Sequence, residues 1–136
     1  MDVIYQLNER QISELHQLYQ REWWTKDRSL AATKNCVAGS QINIGIVDNN
    51  GTLLAYARVL TDYTFKALIF DVIVSPEQRG SGLGSRLITL IKHHPALSRV
   101  IHLELYCLPE MFGFYARHGF SDDVGNIKLM RYLTES

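Results

Sequence analysis

The stretch Ser75–Leu87, SPEQRGSGLGSRL, decides the fold because it joins a strand-like segment to a helix-like one. The run before it, KALIFDVIV, is typical of a buried strand, and leucine and isoleucine residues recur after it at helical spacing. The first N–H groups of a helix have no partner within the helix, and its dipole adds partial positive charge, so phosphate is favoured there. Glycines at positions 80, 82 and 84 let the backbone turn and let a bulky ligand approach those amides.

The sequences of two common phosphate-binding loops do not match this stretch. A P-loop requires Gly-x-x-x-x-Gly-Lys-Ser/Thr, and no lysine follows these glycines at that spacing. A dinucleotide fingerprint requires a different glycine spacing and an acidic residue about 20 positions later. Arg79, Ser81 and Ser85 add a positive charge and two hydroxyl donors. We therefore interpret the stretch as a pyrophosphate-binding loop, and a glycine-rich turn without a ligand is the alternative.

Around this loop, the sequence predicts one mixed domain spanning residues 1–136. Apolar positions at three- and four-residue steps predict helices, and short apolar runs bounded by turn residues predict strands. The predicted strands are 2–7, 42–47, 52–60, 66–74, 100–107 and 126–133, and the predicted helices begin at Glu9, after Asp27, at Leu83 and at Pro109. The order β-αα-βββ-α-β-α-β is an α+β layout, with a central mixed, mostly antiparallel sheet flanked by helices.

Composition excludes several classes of partner. Fourteen Lys and Arg residues balance fourteen Asp and Glu residues, so the totals show no electrostatic footprint for nucleic acid or for an anionic membrane. Cys36 and Cys107 lack CxxC spacing, and His93 and His94 have no third ligand near them in the sequence, so we expect no metal site. We find no signal-peptide pattern and no apolar run of about 18 residues, so we expect a cytoplasmic protein.

Two motifs give the loop a family context. The segment VSPEQRGSGLGSRL resembles the acyl-CoA signature of the GNAT superfamily of N-acyltransferases, Gln/Arg-x-x-Gly-x-Gly/Ala, which residues 79–84 match. Downstream, FYARHGF at 114–120 resembles that superfamily's Phe/Leu-Tyr-x-x-x-Gly-Phe motif and follows the strand-like HLELYC. The predicted element order is similar to that superfamily from end to end. The resemblance implies a GNAT-like fold, N-acetyltransferase activity and acetyl-CoA as the cosubstrate.

A narrower resemblance covers two other segments. WWTKDRS at 23–29 and YARVLTDYTFKALIFDVIV at 56–74 resemble a group of small bacterial GNAT proteins whose acceptors are mostly unassigned. This resemblance supports the fold and the donor, and it leaves the acceptor open. The superfamily as a whole implies an amine acceptor, either a small molecule or a peptide. Its members commonly pair, so the resemblance also allows a homodimer.

The resemblance assigns particular residues to the donor. Backbone amides around Val74 would hold the pantetheine arm and face the thioester oxygen as an oxyanion donor. The residues assigned to the donor are Val72, Ile73, Val74, Arg79, Gly80, Ser81, Gly82, Leu83, Gly84, Ser85 and Phe114. Tyr115 occupies the tyrosine position of the second motif, which implies a general acid that protonates the departing thiolate. Packing of Tyr115 beside Phe112 and Phe114 on a helix face is the alternative.

Asp71 is the first candidate for the general base. It interrupts an apolar run, and burial there would raise the pKa of its carboxyl toward neutral pH, which suits a base. Strict alternation places Asp71 and Ile73 on one face of the strand and Phe70, Val72 and Val74 on the other. An ion pair of Asp71 with Arg58 or a lysine is an equal alternative. Glu104 and His102, on the next predicted strand, are further candidates for the base.

Four residues are predicted to contact the acceptor. Trp24 and Arg28 lie between the first two predicted helices, a region that in GNAT folds often borders the acceptor pocket. Tyr63 lies at a predicted turn, and Arg58 lies on the strand before it. Packing in the core is the alternative for Trp24 and for its neighbour Trp23, because tryptophan buries much apolar area and needs only one polar partner.

Three hypotheses about function follow. The first is an acetyl-CoA-dependent N-acetyltransferase, which Tyr115 and an acidic strand residue favour. The second is a regulatory module that binds acyl-CoA and has lost the chemistry. The third is a structural adaptor, which gives the glycine loop no role. Binding of acetyl-CoA separates the third hypothesis from the others, and release of free thiol separates the first from the second.

Overall fold

The computed structural model describes residues 1–134, which form two compact units, Met1–Glu104 and a second unit that begins at Leu105. The first unit contains five strands and three helices. In chain order they are β1 (Asp2–Ile4), α1 (Glu9–Gln20), α2 (Leu30–Gly39), β2 (Ile42–Val47), β3 (Leu53–Thr61), β4 (Lys66–Val74), α3 (Leu83–Lys92) and β5 (His102–Glu104). The second unit contains α4 (Phe112–Arg117). The assignment of the whole chain to one domain stays a prediction.

The five strands form one sheet in the order β1-β2-β3-β4-β5. The first four strands pair antiparallel, because short turns connect β2, β3 and β4. β5 pairs parallel with β4, as expected for strands joined through the α3 crossover. The α+β fold class and the mixed, mostly antiparallel sheet are therefore confirmed.

Local signals explain where the first helices begin. Asn8 caps α1: its side chain accepts from the Gln11 backbone N–H at 2.8 Å, and the Gln11 side chain accepts from the Asn8 N–H at 3.0 Å. Ser29 caps α2 by accepting from the Ala32 N–H at 3.0 Å. The turn between β2 and β3 closes with a bond from the Gly51 N–H to the Asp48 carbonyl, and Gly51 has a φ of 75°.

The apolar faces of the helices pack on the sheet. Leu15 and Tyr19 of α1 are fully buried, in a cluster that includes Tyr56 of β3 and Ile73 of β4. α3 packs on β3 and β4 through its own apolar stripe, whose buried members are Leu83, Leu87, Ile88 and Ile91. This burial holds α1 and α3 in place on the sheet. The glycine loop is therefore held between two packed elements, β4 before it and α3 after it. No helix in residues 1–134 is long and apolar enough to cross a membrane.

Three predicted strands differ from the structure. The strand expected at 2–7 is confined to Asp2–Ile4. The strand expected at 100–107 is confined to His102–Glu104. The strand expected at 126–133 is wrong, since residues 126–134 have no regular structure and expose apolar side chains such as Met130 (91%) and Tyr132 (88%). A strand forms only where its backbone pairs with a neighbouring strand. The segment 126–133 has a strand-like composition, but it pairs with none of the described strands.

Candidate active site

β4 extends beyond the three residues at its start that pair with β5. β5 pairs only with Lys66–Leu68, so the rest of β4 has no strand on that side within the described part of the chain. The backbone N–H and C=O groups there can bind an extended ligand in place of a strand. Val72, Ile73 and Val74, which the sequence analysis assigned to the pantetheine arm, lie on this stretch of β4.

The glycine loop follows β4 directly and ends at α3. Gly80 and Gly82 both have a φ of 84°, in the left-handed region, and a Cβ added at either position would meet no atom within 4 Å. Space is therefore not the constraint at these positions; the backbone conformation is. Gly82 is the N-cap residue of α3 and offers no side chain to the first helical N–H groups. N–H groups at such a helix start are suited to bind an anion, and the predicted pyrophosphate site at this position stays a prediction.

The other residues of the loop differ in what they can offer a ligand. Arg79 is exposed and forms an ion pair with Glu22 at the end of α1, so it must change partner or share its charge to bind a phosphate. The hydroxyl of Ser81 donates to the Gln78 carbonyl. The side chain of Leu83 is buried, which leaves only its backbone for a ligand contact. Gly84 and Ser85 lie in the first turn of α3.

Asp71 is the centre of a cluster of charged groups. Its carboxylate accepts from Arg28 at 2.6 and 3.1 Å, from Arg58 Nε at 2.7 Å and from the Tyr19 hydroxyl at 2.9 Å. The Asp71 side chain is only 5% exposed. Arg28 stacks on the Tyr19 ring, and Arg58 stacks on the Phe70 ring. The structure therefore brings Arg28 to the pair of Asp71 and Arg58, which the sequence analysis gave as one of its two alternatives.

A β-bulge explains how Asp71 reaches both arginines. The register between β3 and β4 shifts between Tyr56 and Arg58, and Asp71 has a φ of 57°. Phe70 pairs with Arg58 and also contacts it, although strict alternation had placed Phe70 and Asp71 on opposite faces. That expectation is wrong because the left-handed residue interrupts the period of two. Aspartate is one of the few residues that tolerate this conformation.

The expected upward shift of the Asp71 pKa is also wrong. Burial acts to raise it, but hydrogen bonds from Arg28 and Arg58, together with their positive charges, hold the pKa of Asp71 below its ordinary value. Of the two alternatives, the ion pair is the one observed. A carboxylate held in this way is a weak base, so the physical argument for Asp71 as the general base is lost. Glu104 is likewise paired, with Lys66 Nζ at 2.6 Å, whereas His102 is exposed.

We expect Asp71→Asn to destabilise the protein by about 3 kcal/mol at pH 7, because it leaves two partly buried arginines without their carboxylate. Asparagine also tolerates positive φ, so the substitution tests the charge rather than the bulge. Since the folded-state pKa of Asp71 is lowered, its stabilisation is present above the unfolded-state pKa and is lost as pH falls through the folded-state value. Urea unfolding at pH 7 and at steps below pH 5 should show the gap between wild type and variant closing; an unchanged gap would contradict the ion-pair assignment.

The remaining acceptor residues do not form one cluster. Trp23 is 68% exposed and Trp24 is 41% exposed, which argues against the core packing considered for the pair. Tyr63 has a φ of 62°, and its hydroxyl donates to the Gln41 carbonyl at 3.4 Å. Tyr63 also lines a small pocket with Tyr5 and His94, and the charged cluster contributes no residue to that pocket. A role for Trp24 and Tyr63 in acceptor binding stays a prediction.

Tyr115 lies in α4, in the second unit. Its ring makes edge contacts with Phe114, at a centroid distance of 5.0 Å, and with Phe120, at 6.0 Å. The amides of His118 and Phe120 donate to its backbone carbonyl, which closes the helix before Gly119. Burial, with a smaller effect from Cys107, raises the pKa of Tyr115 to about 12. The hydroxyl is therefore protonated at neutral pH, as a general acid must be.

Sequence reasoning missed two residues near the predicted site. Tyr19 was identified only as part of the apolar face of α1, yet its hydroxyl donates to Asp71. A tyrosine at a buried helical position needs a partner for its hydroxyl, and that need was the available signal. Glu22 was not singled out, and it pairs with Arg79. An acidic residue just after a helix gives no signal of a partner so distant in sequence.

Comparisons with known proteins agree with this fold. Residues 5–120 match the model of the Acetyltransferase (GNAT) family. The uncharacterized N-acetyltransferase ycf52 of Pyropia yezoensis is 32% identical over 120 residues, covering 86% of this chain and 68% of that protein. A crystal structure of a GNAT-family protein from Xanthomonas campestris pv. campestris superposes with a TM-score of 0.80 at 30% identity, covering 98% of this chain and 94% of that one. Serotonin N-acetyltransferase 2, chloroplastic, of Oryza sativa subsp. japonica is 33% identical over 82 residues, which cover 60% of this chain and 41% of that protein.

Proposed function

Because the chain belongs to the GNAT family of acetyltransferases, we propose that it transfers an acetyl group from acetyl-CoA to a primary amine of a small molecule or peptide. The family implies an acyl-CoA cosubstrate, and the acetyl group is our proposal within it. One observation carries the proposal most directly. The unpaired edge of β4 leads straight into a loop whose two left-handed glycines precede the uncapped start of α3.

This arrangement supplies two kinds of binding group in sequence. The N–H and C=O groups of Val72–Val74 that point away from β3 suit the amide-containing pantetheine arm, which would bind to them as a strand does. The amides at the start of α3 suit the pyrophosphate, since they are donors and the helix dipole favours negative charge. Acetyl-CoA carries both groups in one molecule. An N–H of β4 near Val74 would then act on the thioester oxygen as an oxyanion donor.

The reaction proposed is direct attack. The amine nitrogen forms a bond to the thioester carbon, and the carbonyl electron pair moves to the oxygen, which becomes an oxyanion. The carbonyl then re-forms as the carbon–sulfur bond breaks, and the departing thiolate takes a proton from the Tyr115 hydroxyl. The nitrogen loses its extra proton to water, which also returns a proton to Tyr115. No residue need act as a dedicated base in this scheme, which is consistent with the lowered pKa of Asp71.

Two measurements on the purified full chain test the proposal. Acetyl-CoA at about 100 times its Kd should stabilise the protein by about 2.7 kcal/mol, whereas the same concentration of pantetheine, which lacks the pyrophosphate, should stabilise it much less. A panel of primary amines should then release free thiol from acetyl-CoA. Absence of stabilisation contradicts the whole proposal. Stabilisation without thiol release, for every amine tried, favours the acyl-CoA-binding regulatory module instead.

The names of the relatives suggest which amines to include. One relative is named for serotonin, an aromatic amine, and another is named as a histone acetyltransferase. Serotonin and a lysine-containing peptide therefore belong in the panel, together with polyamines and amino acids. The neutral overall charge of the chain favours none of these classes.

A further inference from the structure

The cluster around Asp71 carries an excess of positive charge. Two guanidinium cations, from Arg28 and Arg58, share one carboxylate. The fourth member, Tyr19, stays neutral because burial, and then the charge of Asp71, raise the pKa of its hydroxyl. Lys66 and Glu104, by contrast, form an ion pair of one cation with one carboxylate. The cluster is thus left with one positive charge that no carboxylate within it balances.

The excess charge faces outward. Asp71 is 5% exposed, but Arg58 is 15% exposed and Arg28 is 32% exposed. Asp71 is saturated by four donors, and Arg58 uses only its Nε on that carboxylate. One of the two Nη groups of Arg58 lies 3.5 Å from the Ser40 hydroxyl, at the outer limit of a hydrogen bond. Every buried side-chain nitrogen and oxygen in the described residues has a partner, and the Arg58 side chain as a whole keeps 15% of its surface exposed to solvent.

The cluster also lies beside the part of β4 that we assign to the donor. Asp71 directly precedes Val72 in the bulge, on the stretch of β4 that pairs with β3 on one side and lies beyond the residues paired with β5 on the other. The Tyr19 ring stacks on the guanidinium plane of Arg28, and the Phe70 ring stacks on that of Arg58. A ligand would therefore bind to the N–H groups along the edges of the two guanidinium planes. An anionic group bound to these edges would lie beside Asp71, three residues along β4 from Val74, where we propose that the thioester binds.

We propose that this cluster binds a carboxylate of the acceptor, so that the acceptor is an amine that also carries a carboxylate. The proposal rests on the proposed transferase function and names its substrate class. A monoanion matches the single excess charge, whereas a phosphate dianion would leave a negative charge in a partly buried place. Arginine donors in a fixed plane suit the two oxygens of a carboxylate.

The same charge affects the reacting amine. A nearby positive charge disfavours the ammonium form, so the amine nitrogen loses its proton more readily before attack. The acceptor's own carboxylate offsets the repulsion that would otherwise keep a cation away. An acceptor that carries only positive charge, such as a polyamine, has no group to offset it. Thus the cluster both selects the acceptor and takes over part of the work of a base.

The test uses pairs of amines that differ only in the carboxylate: 5-hydroxytryptophan and serotonin, lysine and cadaverine, phenylalanine and phenethylamine. Thiol release is measured with saturating acetyl-CoA, and kcat/KM is corrected for the fraction of free amine at the assay pH. We expect the carboxylate-bearing member to be at least tenfold better in the preferred pair. Equal or better use of the decarboxylated member in every pair would overturn the proposal.

Variants with opposite charge changes make the test specific. Arg58→Gln removes the excess charge and should equalise the members of each pair, while Asp71→Asn increases it and should widen the preference. A loss of packing alone would move both variants in the same direction. Arg99→Gln, which removes an exposed charge outside the cluster, is the matched control and should leave the preference unchanged. Acetyl-CoA stabilisation confirms that each variant is folded.

A second measurement separates failure of this proposal from failure of the transferase function. N-acetyl-5-hydroxytryptophan and N-acetylserotonin are products of one pair, and their binding to the protein with CoA needs no catalysis. We expect the carboxylate-bearing product to bind at least fivefold more tightly, with the difference lost in Arg58→Gln. If no amine releases thiol but this difference is present, the transferase proposal fails and the carboxylate site stands. If the two products bind equally, the carboxylate site is overturned whatever the activity.

Discussion

Gly82→Val is expected to abolish measurable binding of acetyl-CoA, with a loss of affinity of at least 100-fold. Gly82 has a φ of 84° and is the N-cap residue of α3. A β-branched residue strongly disfavours that conformation, so the loop must change its path and the first amides of the helix must reorient. At a concentration 100 times the wild-type Kd, stabilisation by the ligand would then fall from about 2.7 to about 0.4 kcal/mol.

The control for this substitution is Gly39→Val. Gly39 ends α2, has no positive φ, and likewise has no atom within 4 Å of an added Cβ. The two variants therefore make the same change of side chain and differ in the backbone conformation that it must adopt. Thermal unfolding without ligand reports any general loss of stability. Gly82→Val with the wild-type response to acetyl-CoA would show that the loop does not bind the pyrophosphate.

The elements of the first unit could be predicted because each has a local signal. α1 begins at Glu9 as predicted, capped by Asn8, and α2 begins at Leu30, after Asp27 as predicted, capped by Ser29. Gly51 lies in the turn between the strands predicted at 42–47 and 52–60. Short-range rules fix such features, since the partners are within four residues of each other. The segment 126–133 has a strand-like composition, but whether it pairs depends on a distant partner, which composition does not encode.

The sequence predicted which residues belong to the candidate site better than it predicted how they are arranged. Asp71, Arg28 and Arg58 were each singled out, but only the fold brings a residue after α1 beside the bulge in β4. The bulge itself gave no signal, because the aspartate that adopts the positive φ was interpreted as a buried acid within a regular strand. The direction of its pKa shift followed from that error, since the shift depends on which neighbours the side chain meets.

Tyr115→Phe is expected to keep acetyl-CoA binding and to lower kcat by about 100-fold or more, the range typical of a lost general acid. The substitution removes only the hydroxyl, so the ring contacts with Phe114 and Phe120 remain. Because burial raises the pKa of Tyr115 to about 12, its proton stays available across neutral and mildly alkaline pH. Wild-type kcat should therefore show no alkaline loss from this group below about pH 11.

The measurement is thiol release at saturating acetyl-CoA and amine, with ligand-induced stabilisation recorded for the same preparations. Tyr132→Phe is the matched control, since it makes the same change in the second unit at a side chain that is 88% exposed. An acid that acts only in the transition state should lower kcat and kcat/KM together and leave donor affinity unchanged. If Tyr115→Phe turns over as fast as wild type, the hydroxyl is not the acid, and the thiolate must then leave unprotonated or take its proton from water.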